Sequence, residues 1–360
     1  MKVIIATPYF NPKIGGLELY AEHIAHGLAT AGWEVHVITS GATVSHTKQG
    51  NITVHTLKTW LHIANTPVNP QWVLQARTLI KALKPDIINV HAPVPSMALA
   101  VAAAAGNTPV VVTYHAGSMH KGSLFADIII GVYERLLMPA LLARSSAVIC
   151  ASDFVRLEFL NRWTNKTITI TPGVDTDVFV PAPSKRVPGR VAFIGDFRDP
   201  RKGLKYLVTA ISNVPNATLR VIGPGSGTAT GNVSYAGVLR GDDLVAELQT
   251  AQMLVLPSTT NAESFGMVLI EAMATAIPVI GTRVGGVPYV ITDYRDGLLV
   301  MPFRADQLAT AIRALLKDVK LCATLGANGR TKTVQSYQWD ERVQRTETLL
   351  KKVLIEVSNV

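Results

Sequence analysis

The chain has 360 residues, of which 48% are hydrophobic and 16% are charged, so it is too apolar for a disordered protein and long enough for two domains. Lys and Arg number 34 against 25 Asp and Glu, and the resulting charge of +9 favours an anionic partner such as nucleic acid, lipid or a phosphorylated ligand. Because the excess is spread over both halves with no long run of like charges, we expect no nucleic-acid partner and favour phosphate-binding loops.

The first half alternates short β-branched runs with helical patterns. The runs cover residues 3–10, 35–40, 86–92, 110–116, 147–152 and 167–173. Their apolar residues are continuous rather than alternating, which predicts a parallel sheet covered by helices on both faces. Between the first two runs, apolar residues recur every three or four positions and stop at Gly32, which predicts an amphipathic helix.

The second half repeats this alternation after a proline-containing segment. Its runs cover residues 190–196, 218–223, 233–238, 253–258, 278–282 and 297–300, and the pattern after residue 304 is helical. We therefore predict an α/β protein of two Rossmann-like, doubly wound domains, at 1–175 and 190–337, with a linker at 176–189. Such domains bind ligands at the carboxyl ends of their strands, here across a cleft between the two domains.

The cysteines and the apolar segments indicate the cellular compartment of the protein. Cys150 and Cys322 show no metal-ligand spacing, so we expect a reducing, cytoplasmic setting without structural zinc. Pro8 and Pro12 interrupt the apolar N-terminal run, which favours a first strand over a secretion signal. No apolar stretch reaches the roughly 18 residues that a membrane span needs.

The first candidate motif is Gly15-Gly16, between the first strand and the first helix. Two glycines there let the backbone approach a ligand, and the helix start offers N–H groups to an anion. The pattern is not GxGxxG and no acidic residue ends the second strand, which disfavours a nicotinamide cofactor. A plain tight turn is the alternative interpretation.

The second motif lies at 261–281, where Glu263 and Glu271 are eight residues apart. Ser264, Phe265 and Gly266 form a loop that turns into a helix at about Gly266 to Met267. A carboxylate there accepts hydrogen bonds from vicinal sugar hydroxyls, while the helix start takes a phosphate. Two solvated helix carboxylates are the alternative, which the apolar surroundings disfavour.

The third motif is the basic loop after the strand that ends near Gly195. Arg198, Arg201 and Lys202 follow in this loop, ahead of a helix. Clustered basic side chains at a strand end clamp a pyrophosphate and stabilise it as a leaving group. A solvated basic loop explains the same residues equally well.

Two further groups have weaker patterns. His115 ends a first-domain strand, where a histidine can bind a sugar hydroxyl or aid proton transfer, although a histidine that satisfies a turn is common. His91 is interpreted as structural or acceptor-side. Asp175-Thr176-Asp177 could hold a divalent metal, but its place beside the linker favours a turn, and we predict no metal site.

In this order, the motifs resemble the retaining GT-B glycosyltransferases of the glycosyl transferases group 1 family, which includes phosphatidylinositol mannosyltransferases, sucrose synthase-like enzymes and bacterial lipopolysaccharide and capsule transferases. The resemblance covers nearly the whole chain: the Gly-Gly loop, KPDIINVHA, the strand ending in His115, TPGVDTDVF, the PRKG loop, VIGPGSG and the E-x7-E segment ESFGMVLIE. Trp339 and the final helices resemble the family's crossover onto the first domain, at about 338–360.

The resemblance implies specific roles. Glu271 would bind the nucleotide ribose, Glu263 the donor sugar, and His115 the transferred sugar. Lys202 and a nearby arginine would neutralise the departing nucleoside diphosphate without a metal or other cofactor. The remaining contacts to donor, phosphates and acceptor would come from Gly15, Gly16, Gly195, Arg201, Ser264, Phe265, Gly266, Met267 and Val268.

One departure from the family pattern stands out. Many relatives place an arginine after the strand-end glycine, where this chain has Asp196. Arg198 is our first candidate for that role, with Arg201 as the alternative. Because Asp196 weakens the match, a catalytically silent sugar-nucleotide-binding module is one alternative function. A sugar-nucleotide 2-epimerase-like enzyme is another.

The resulting hypothesis is a retaining, metal-independent hexosyltransferase. It would move a sugar from a UDP- or GDP-sugar, such as GDP-mannose, to a hydroxyl acceptor, with a lipid or a lipid-linked cell-envelope glycan as one candidate. The charge, the basic-apolar segment 77–84 and the apolar stretch 127–142 favour peripheral contact with the inner face of the cell membrane. Burial of both segments in the core is the alternative.

Overall fold

A computed structural model describes residues 1–13, 15–63, 66–120 and 124–359, without the side chains of 124–126. The chain divides into two compact units. The first comprises Met1–Pro172 together with Trp339–Val360, and the second comprises Gly173–Gln338. The first break thus lies three residues before the predicted domain end at residue 175.

The first unit contains ten strands and five α-helices in its N-terminal part, counted over the described residues. In chain order they are β1 Lys2–Ala6, α1 Gly16–Thr30, β2 Glu34–Gly41, β3 Ser45–Gln49, β4 Ile52–Lys58, β5 Leu61–Ile63, β6 Thr66–Val68, α2 Trp72–Leu83, β7 Ile87–Ala92, α3 Met97–Ala104, β8 Val110–Tyr114, α4 Leu124–Val132, α5 Met138–Arg144, β9 Ala147–Cys150 and β10 Thr167–Thr169. A π-helix, Tyr133–Leu137, joins α4 to α5, and short π and 3-10 turns, Val155–Phe159 and Asn161–Trp163, precede β10.

Eight of these strands form one sheet in the order β10-β9-β8-β7-β1-β2-β4-β3. All neighbours are parallel except β3 and β4, which form an antiparallel hairpin at the edge. Ile88, Val90 and Ala92 of β7 face one side and join the core beneath α2 and α3. The intervening residues Asn89 and His91 face the other side, because side chains alternate along a strand.

The second unit has the same α/β architecture as the first, with a smaller sheet. Its elements are β11 Arg190–Ile194, α6 Leu204–Ser212, β12 Thr218–Ile222, β13 Val233–Gly237, α7 Gly241–Thr250, β14 Met253–Leu256, α8 Met267–Ala274, β15 Val279–Thr282, α9 Val287–Val290, β16 Leu298–Val300, α10 Ala305–Lys317 and α11 Val319–Ser336, with 3-10 turns at Pro183–Lys185 and Pro200–Lys202. Its six strands are all parallel, in the order β13-β12-β11-β14-β15-β16.

The final helix, α12 Trp339–Ser358, belongs to the first unit and packs on α1. The Trp339 ring stacks on His23 with ring centroids 4.2 Å apart, and the Trp33 indole N–H donates to Glu347 at 2.9 Å. A Cβ added to Gly27 would lie 2.3 Å from Val343, so the two helices approach too closely there for any side chain on α1.

The segment 176–189, predicted as a linker, is held against the second unit. The Val187 N–H donates to the Thr250 carbonyl at 2.9 Å, and the Arg186 guanidinium donates to the Ala276 carbonyl at 2.6 Å. The prolines prevent regular structure in this segment, but its backbone is anchored on the ends of α7 and α8.

Two pairs of strands, β3/β4 and β5/β6, have no counterpart among the predicted elements. β3 reads SHTKQ and is largely exposed, and β5 and β6 have three residues each, so none of the three contains an apolar run. The pairing of these three strands depends on neighbouring backbone rather than on burial, which local periodicity does not report. β4 is largely buried, but polar residues interrupt its apolar ones, so it contains no continuous apolar run.

The two segments considered for membrane contact differ in exposure. In α2, Leu79, Ile80 and Leu83 belong to the core or pack against it, so the buried-core alternative holds for the apolar side of residues 77–84. Along α4 and the π-helix, Ile128, Val132 and Leu136 are instead 58%, 51% and 64% exposed. Among the described helices, none has both the length and the apolarity to cross a bilayer.

Candidate functional site

The predicted residues of the second unit lie on loops at the carboxyl ends of adjacent strands. β11 leads into residues 195–203, β14 into 257–266 and β15 into 283–286. These three strands are neighbours in the sheet, so their loops converge at one edge. This edge is where doubly wound folds place their ligands.

Lys202 and Glu263 form the central contact between two of these loops. The Lys202 ammonium donates to Glu263 Oε2 at 2.7 Å, and the buried Ser258 hydroxyl donates to the same oxygen at 2.8 Å. Burial alone would raise the pKa of Glu263, but Lys202 and the Ser258 hydrogen bond outweigh it and lower that pKa. The structure therefore joins two motifs that are 61 residues apart in sequence.

The basic loop itself is fixed against the end of β14. The Thr259 N–H donates to the Arg201 carbonyl at 2.8 Å. Gly203 has φ of +71°, and a Cβ at this position would lie 1.9 Å from the Pro257 carbonyl oxygen. Glycine after Lys202 is thus required by the close approach of the two loops.

Gly285 and Gly286 support the loop that carries Glu263. The Gly286 N–H donates to the Glu263 carbonyl at 2.9 Å. An added Cβ would lie 2.1 Å from that oxygen at Gly285 and 1.7 Å from the Ser264 carbonyl oxygen at Gly286. These glycines belong to none of the predicted motifs, although a Gly-Gly pair three residues after a strand is a recognisable sequence signal.

Helix α8 begins where predicted, at Met267, after Gly266 in the left-handed conformation with φ of +86°. The Phe265 side chain packs into the core against Tyr337, so this residue faces a ligand only through its backbone. Ser264 and Val268 flank the helix start. The first N–H groups of α8 follow Glu263 closely in sequence, and a helix start of this kind can accept an anion.

Glu271 is buried in the second turn of α8, with 8% of its surface exposed. No hydrogen-bond partner for its carboxylate is found among the residues that the structure describes. Burial raises the pKa of Glu271 to about 7. A buried acceptor of this kind is suited to the hydroxyl groups of a bound ligand, which would satisfy its oxygens.

The two candidate arginines each pair with the acidic residue two positions earlier. Arg198 is 66% exposed and forms a two-pronged contact with Asp196, at 2.8 and 2.7 Å. Arg201 is less exposed, at 26%, and pairs with Asp199 at 2.7 Å. Gly195 lies at the base of this loop, where an added Cβ would contact Lys202 at an ordinary 3.7 Å.

In the first unit, Gly15 and Gly16 begin α1, as predicted. The buried Glu18 folds back over this start, since a Cβ at Gly15 would lie 2.3 Å from Glu18 Oε2. Burial raises the pKa of Glu18. This carboxylate belongs to none of the predicted motifs, and it occupies the helix start that the sequence predicts as an anion site.

His115 directly follows β8, as predicted, and its Nε2 lies 2.9 Å from Nδ1 of the buried His91. Burial lowers the pKa of His115 to about 3, so its ring is neutral at physiological pH. The following loop is tied to the π-helix, where Glu134 accepts hydrogen bonds from the Ser118 hydroxyl at 3.1 Å and the Met119 N–H at 3.0 Å.

Asp175 forms a turn at the start of the second unit. Its Oδ1 accepts hydrogen bonds from the Asp177 N–H at 3.0 Å and the Val178 N–H at 3.2 Å. This arrangement is an Asx turn, which uses the carboxylate within the local backbone.

Comparisons with known proteins match both units. The family model Glycosyltransferase Family 4 matches residues 14–178, and the model Glycosyl transferases group 1 matches residues 188–318. The D-rhamnosyltransferase WbpZ of Pseudomonas aeruginosa is 27% identical, over 91% of this chain and 90% of its own. The phosphatidyl-myo-inositol mannosyltransferase of Mycolicibacterium smegmatis is 26% identical, over 94% and 90% of the two chains.

A solved structure shares the fold. Sucrose-phosphate synthase from Thermosynechococcus elongatus superposes with a TM-score of 0.83 at 22% identity, and the match covers 99% of each chain. With its two largely parallel sheets flanked by helices, this chain has the GT-B fold.

Proposed function

Because this chain belongs to the glycosyl transferases group 1 family and has the GT-B fold, we propose that it moves a hexosyl group from a nucleoside-diphosphate sugar to a hydroxyl acceptor. Transfer proceeds with retention of the anomeric configuration and without a metal ion. One observation carries the proposal: Lys202, Glu263 and the start of α8 converge at one sheet edge, with the buried carboxylate of Glu271 on the same helix.

Each group has a role in this reaction. The Glu271 carboxylate accepts hydrogen bonds from the ribose hydroxyls, and the N–H groups at the start of α8 bind the diphosphate. Lys202 is released from Glu263 to the phosphates when the donor binds, and Glu263 then accepts hydrogen bonds from the sugar. Lys202 stabilises the negative charge that develops on the leaving diphosphate, which is the work that other enzymes assign to a metal ion.

The chemical step exchanges one bond at the anomeric carbon. The bond to the phosphate oxygen breaks as the bond to the acceptor oxygen forms on the same face of the sugar. The acceptor proton passes to the departing phosphate oxygen, so that no separate protein base is needed. His115 contacts the transferred sugar from the first unit.

The relatives guide the choice of donor. Those named above transfer D-rhamnose or mannose, and D-rhamnose is 6-deoxymannose, so a manno-configured sugar is the first candidate. A panel of GDP- and UDP-sugars, with GDP-mannose included, is incubated with the protein and a hydroxyl acceptor in the presence of EDTA. Transfer with retention, read by NMR of the product anomer, is the expected result.

Other outcomes of the same panel identify the alternatives. Isomerised donor in the absence of acceptor indicates a sugar-nucleotide 2-epimerase. Tight donor binding with neither transfer nor slow hydrolysis indicates a silent binding module, in which Asp196 has removed a needed positive charge. An inverted product or a strict metal requirement overturns the proposed mechanism.

We also propose that the acceptor lies at a membrane surface. The exposed apolar side chains Ile128, Val132 and Leu136 recur every four residues along one helical face, and the net charge of +9 favours anionic lipid. The acceptor is then a lipid or a lipid-linked glycan of the cell envelope.

A further inference from the structure

Three histidines at one edge of the first sheet form a hydrogen-bonded chain. His36 Nδ1 lies 2.9 Å from His55 Nε2, and His55 Nδ1 lies 2.9 Å from His46 Nδ1. At the other end, His36 Nε2 lies 3.0 Å from Glu34 Oε1. The chain thus crosses the neighbouring strands β2, β4 and β3 and ends at His46, which is exposed.

The sheet register places the three histidines on one face. β1 and β2 pair Ile4 with His36, and β2 and β4 pair Ile38 with His55. Ile4 and Ile38 belong to the core beneath α2 and α3, so both histidines point to that side. β3 and β4 pair His46 directly with His55. His36 and His55 are enclosed there, at 5% and 6% exposure.

Glu34 determines where the protons of the chain lie. Hydrogen bonds from His36 and from Lys2, whose Nζ is 3.1 Å away, lower the pKa of Glu34, so it is a carboxylate and only accepts. His36 therefore carries a proton on Nε2. When the three rings are neutral, His36 Nδ1 accepts from His55 Nε2, and His55 Nδ1 accepts from His46 Nδ1.

The chain can take up one proton without losing a hydrogen bond. A proton that binds Nε2 of His46 makes this ring an imidazolium, which still donates from Nδ1. If the Nδ1 proton of His46 moves to Nδ1 of His55, and the Nε2 proton of His55 moves to Nδ1 of His36, the positive charge reaches the Glu34 carboxylate. Both contacts between the rings are then kept with their direction reversed.

The chain has no place for a second added proton. Its hydrogen bonds hold one proton on His36 Nε2 and one in each contact between rings, and a further one fits on Nε2 of His46. Three neutral rings already carry three of these protons. A second added proton therefore puts two N–H groups against each other in one contact and breaks it.

The surrounding elements add positive charge to the chain. No acidic residue occurs between Glu34 and Asp86 in the sequence, and Asp86 already accepts from the backbone N–H of Lys2 at 2.6 Å. The lysines and arginines on β3, on β4 and on or directly after α2 are Lys48, Lys58, Arg77, Lys81 and Lys84. Glu34 is therefore the carboxylate that balances the first proton, and these elements supply no second one.

Strand β3 depends on this chain because it buries little else. It pairs only with β4, at the edge of the sheet, and its residues are exposed except for the half-buried Ser45. His46 is the side chain that links β3 to the enclosed His55. When the contact between these two rings breaks, β3 keeps only its backbone pairing, and an edge strand held in this way opens easily.

We propose that Glu34, His36, His55 and His46 form a pH-sensitive latch that holds the edge strand β3 on β4. The latch takes up one proton with its contacts intact, and a second proton breaks it and releases β3. The device is separate from the proposed transfer reaction and does not require it.

The pH range of release follows from His55. Burial, followed by the charges of His36 and His46, lowers the pKa of His55 from 6.5 in the unfolded chain to about 4 in the folded protein. A group of this kind contributes stability that is present above pH 6.5 and is lost as the pH falls through 4. We therefore expect β3 to open between these two values.

The first test reads the protons directly. Nitrogen-15 NMR of the wild-type protein at pH 8 distinguishes the two neutral tautomers, and single substitutions of each histidine by glutamine assign the signals. His36 and His55 are expected as Nε2–H and His46 as Nδ1–H. An Nε2–H tautomer at His46 overturns the proposal.

The second test follows the release of β3. Amide hydrogen exchange is measured from pH 7.5 to pH 4.5 and corrected for the intrinsic exchange rate. The protection of the β3 amides is expected to fall by about tenfold or more, whereas that of β1 and β2 stays constant. Constant protection of β3 over this range overturns the proposal.

Three matched substitutions separate the latch from a general effect of acid. In His46→Gln, the amide bonds to His55 in either direction and takes up no proton, so β3 should open at a lower pH. Glu34→Gln removes the balancing charge, so β3 should open at a higher pH. His62→Gln changes an exposed histidine outside the chain and should leave the opening pH unchanged. The same opening pH in all three variants overturns the proposal.

Discussion

The Lys202 ammonium lies 2.7 Å from Glu263 Oε2, so each of these side chains is already satisfied before a donor arrives. The pair holds the basic loop after β11 against the loop after β14. It also keeps a buried carboxylate ionised at the position where a sugar and a diphosphate would enter. In the proposed function, donor binding exchanges this contact for contacts to the ligand, and the loops that meet the donor are already held together.

Lys202→Ala removes the positive charge that would meet the leaving diphosphate. We expect kcat for transfer to fall by about a hundredfold or more. Glu263, left without its cation, should also show a higher pKa and the protein a lower melting temperature. Lys205→Ala, three residues further along, removes a lysine that lies over the Tyr206 ring and is the matched control, with activity expected to stay at the wild-type level.

Donor binding should depend on the ionisation of Glu271. Its pKa is about 7, and ribose hydroxyls donate stronger hydrogen bonds to the carboxylate than to the neutral carboxyl group, so affinity should rise by up to about tenfold between pH 6 and pH 8. Intact nucleotide sugar is used in the titration, because its diphosphate does not titrate in this range. Glu271→Gln should bind more weakly and show a flat profile. A flat profile in the wild-type protein would contradict the ribose assignment.

The same residue predicts a pH-dependent stability difference. The carboxyl pKa is raised from 4.5 in the unfolded chain to about 7 in the folded protein, so its contribution to stability is present below pH 4.5 and is lost as the pH rises through 7. Glu271→Gln should therefore gain in melting temperature relative to wild type from pH 5 to pH 8. A constant difference across this range would show that the carboxyl is not enclosed.

Gly285→Ala should disturb the loop that carries Glu263. An added Cβ would meet the Glu263 carbonyl at 2.1 Å, on a backbone with φ of +49°. The left-handed conformation alone costs about 1–2 kcal/mol, as it should in Gly231→Ala, where φ is +54° and no atom lies within 4 Å. Gly285→Ala should lose more stability than Gly231→Ala and, unlike it, lose most donor binding. Equal effects of the two substitutions would remove the case for the close approach.

The apolar face of α4 and the π-helix should mediate membrane contact. Replacing Ile128, Val132 and Leu136 together by serine should abolish co-sedimentation with anionic vesicles at low salt. The double substitution Val319→Ser with Ile355→Ser removes residues that are 72% and 63% exposed elsewhere, and should leave co-sedimentation intact. Wild-type protein without preference for anionic over neutral vesicles would refute the proposal.

The sequence predicted the fold where burial determines it. Continuous apolar runs predicted the parallel strands of both sheets except β4, and the start of α8 at Met267 followed from Gly266. The polar strand β3 was missed, because it pairs with β4 at an edge and buries little. The sequence of the apolar stretch 127–142 also did not predict which face of the helix is exposed, because its apolar residues are not confined to one face.

The candidate site was predictable as separate motifs rather than as an arrangement. Lys202 and Glu263 were each proposed from local patterns, but their contact depends on β11 lying beside β14, and strand order is a property of the whole sheet. Glu18 was missed for a similar reason, because its side chain folds back on the turn that precedes it.

The return of α12 to the first unit has a consequence for synthesis on the ribosome. Residues 1–172 emerge before α12, so the surface that receives α12, including Trp33 and Gly27, stays uncovered until α12 has been made. The second unit, by contrast, is continuous and can complete its sheet while its C-terminal neighbours are still being translated. The N-terminal half is therefore the later of the two to reach its native state, and a truncation that removes α12 damages the half of the protein most distant from it in sequence.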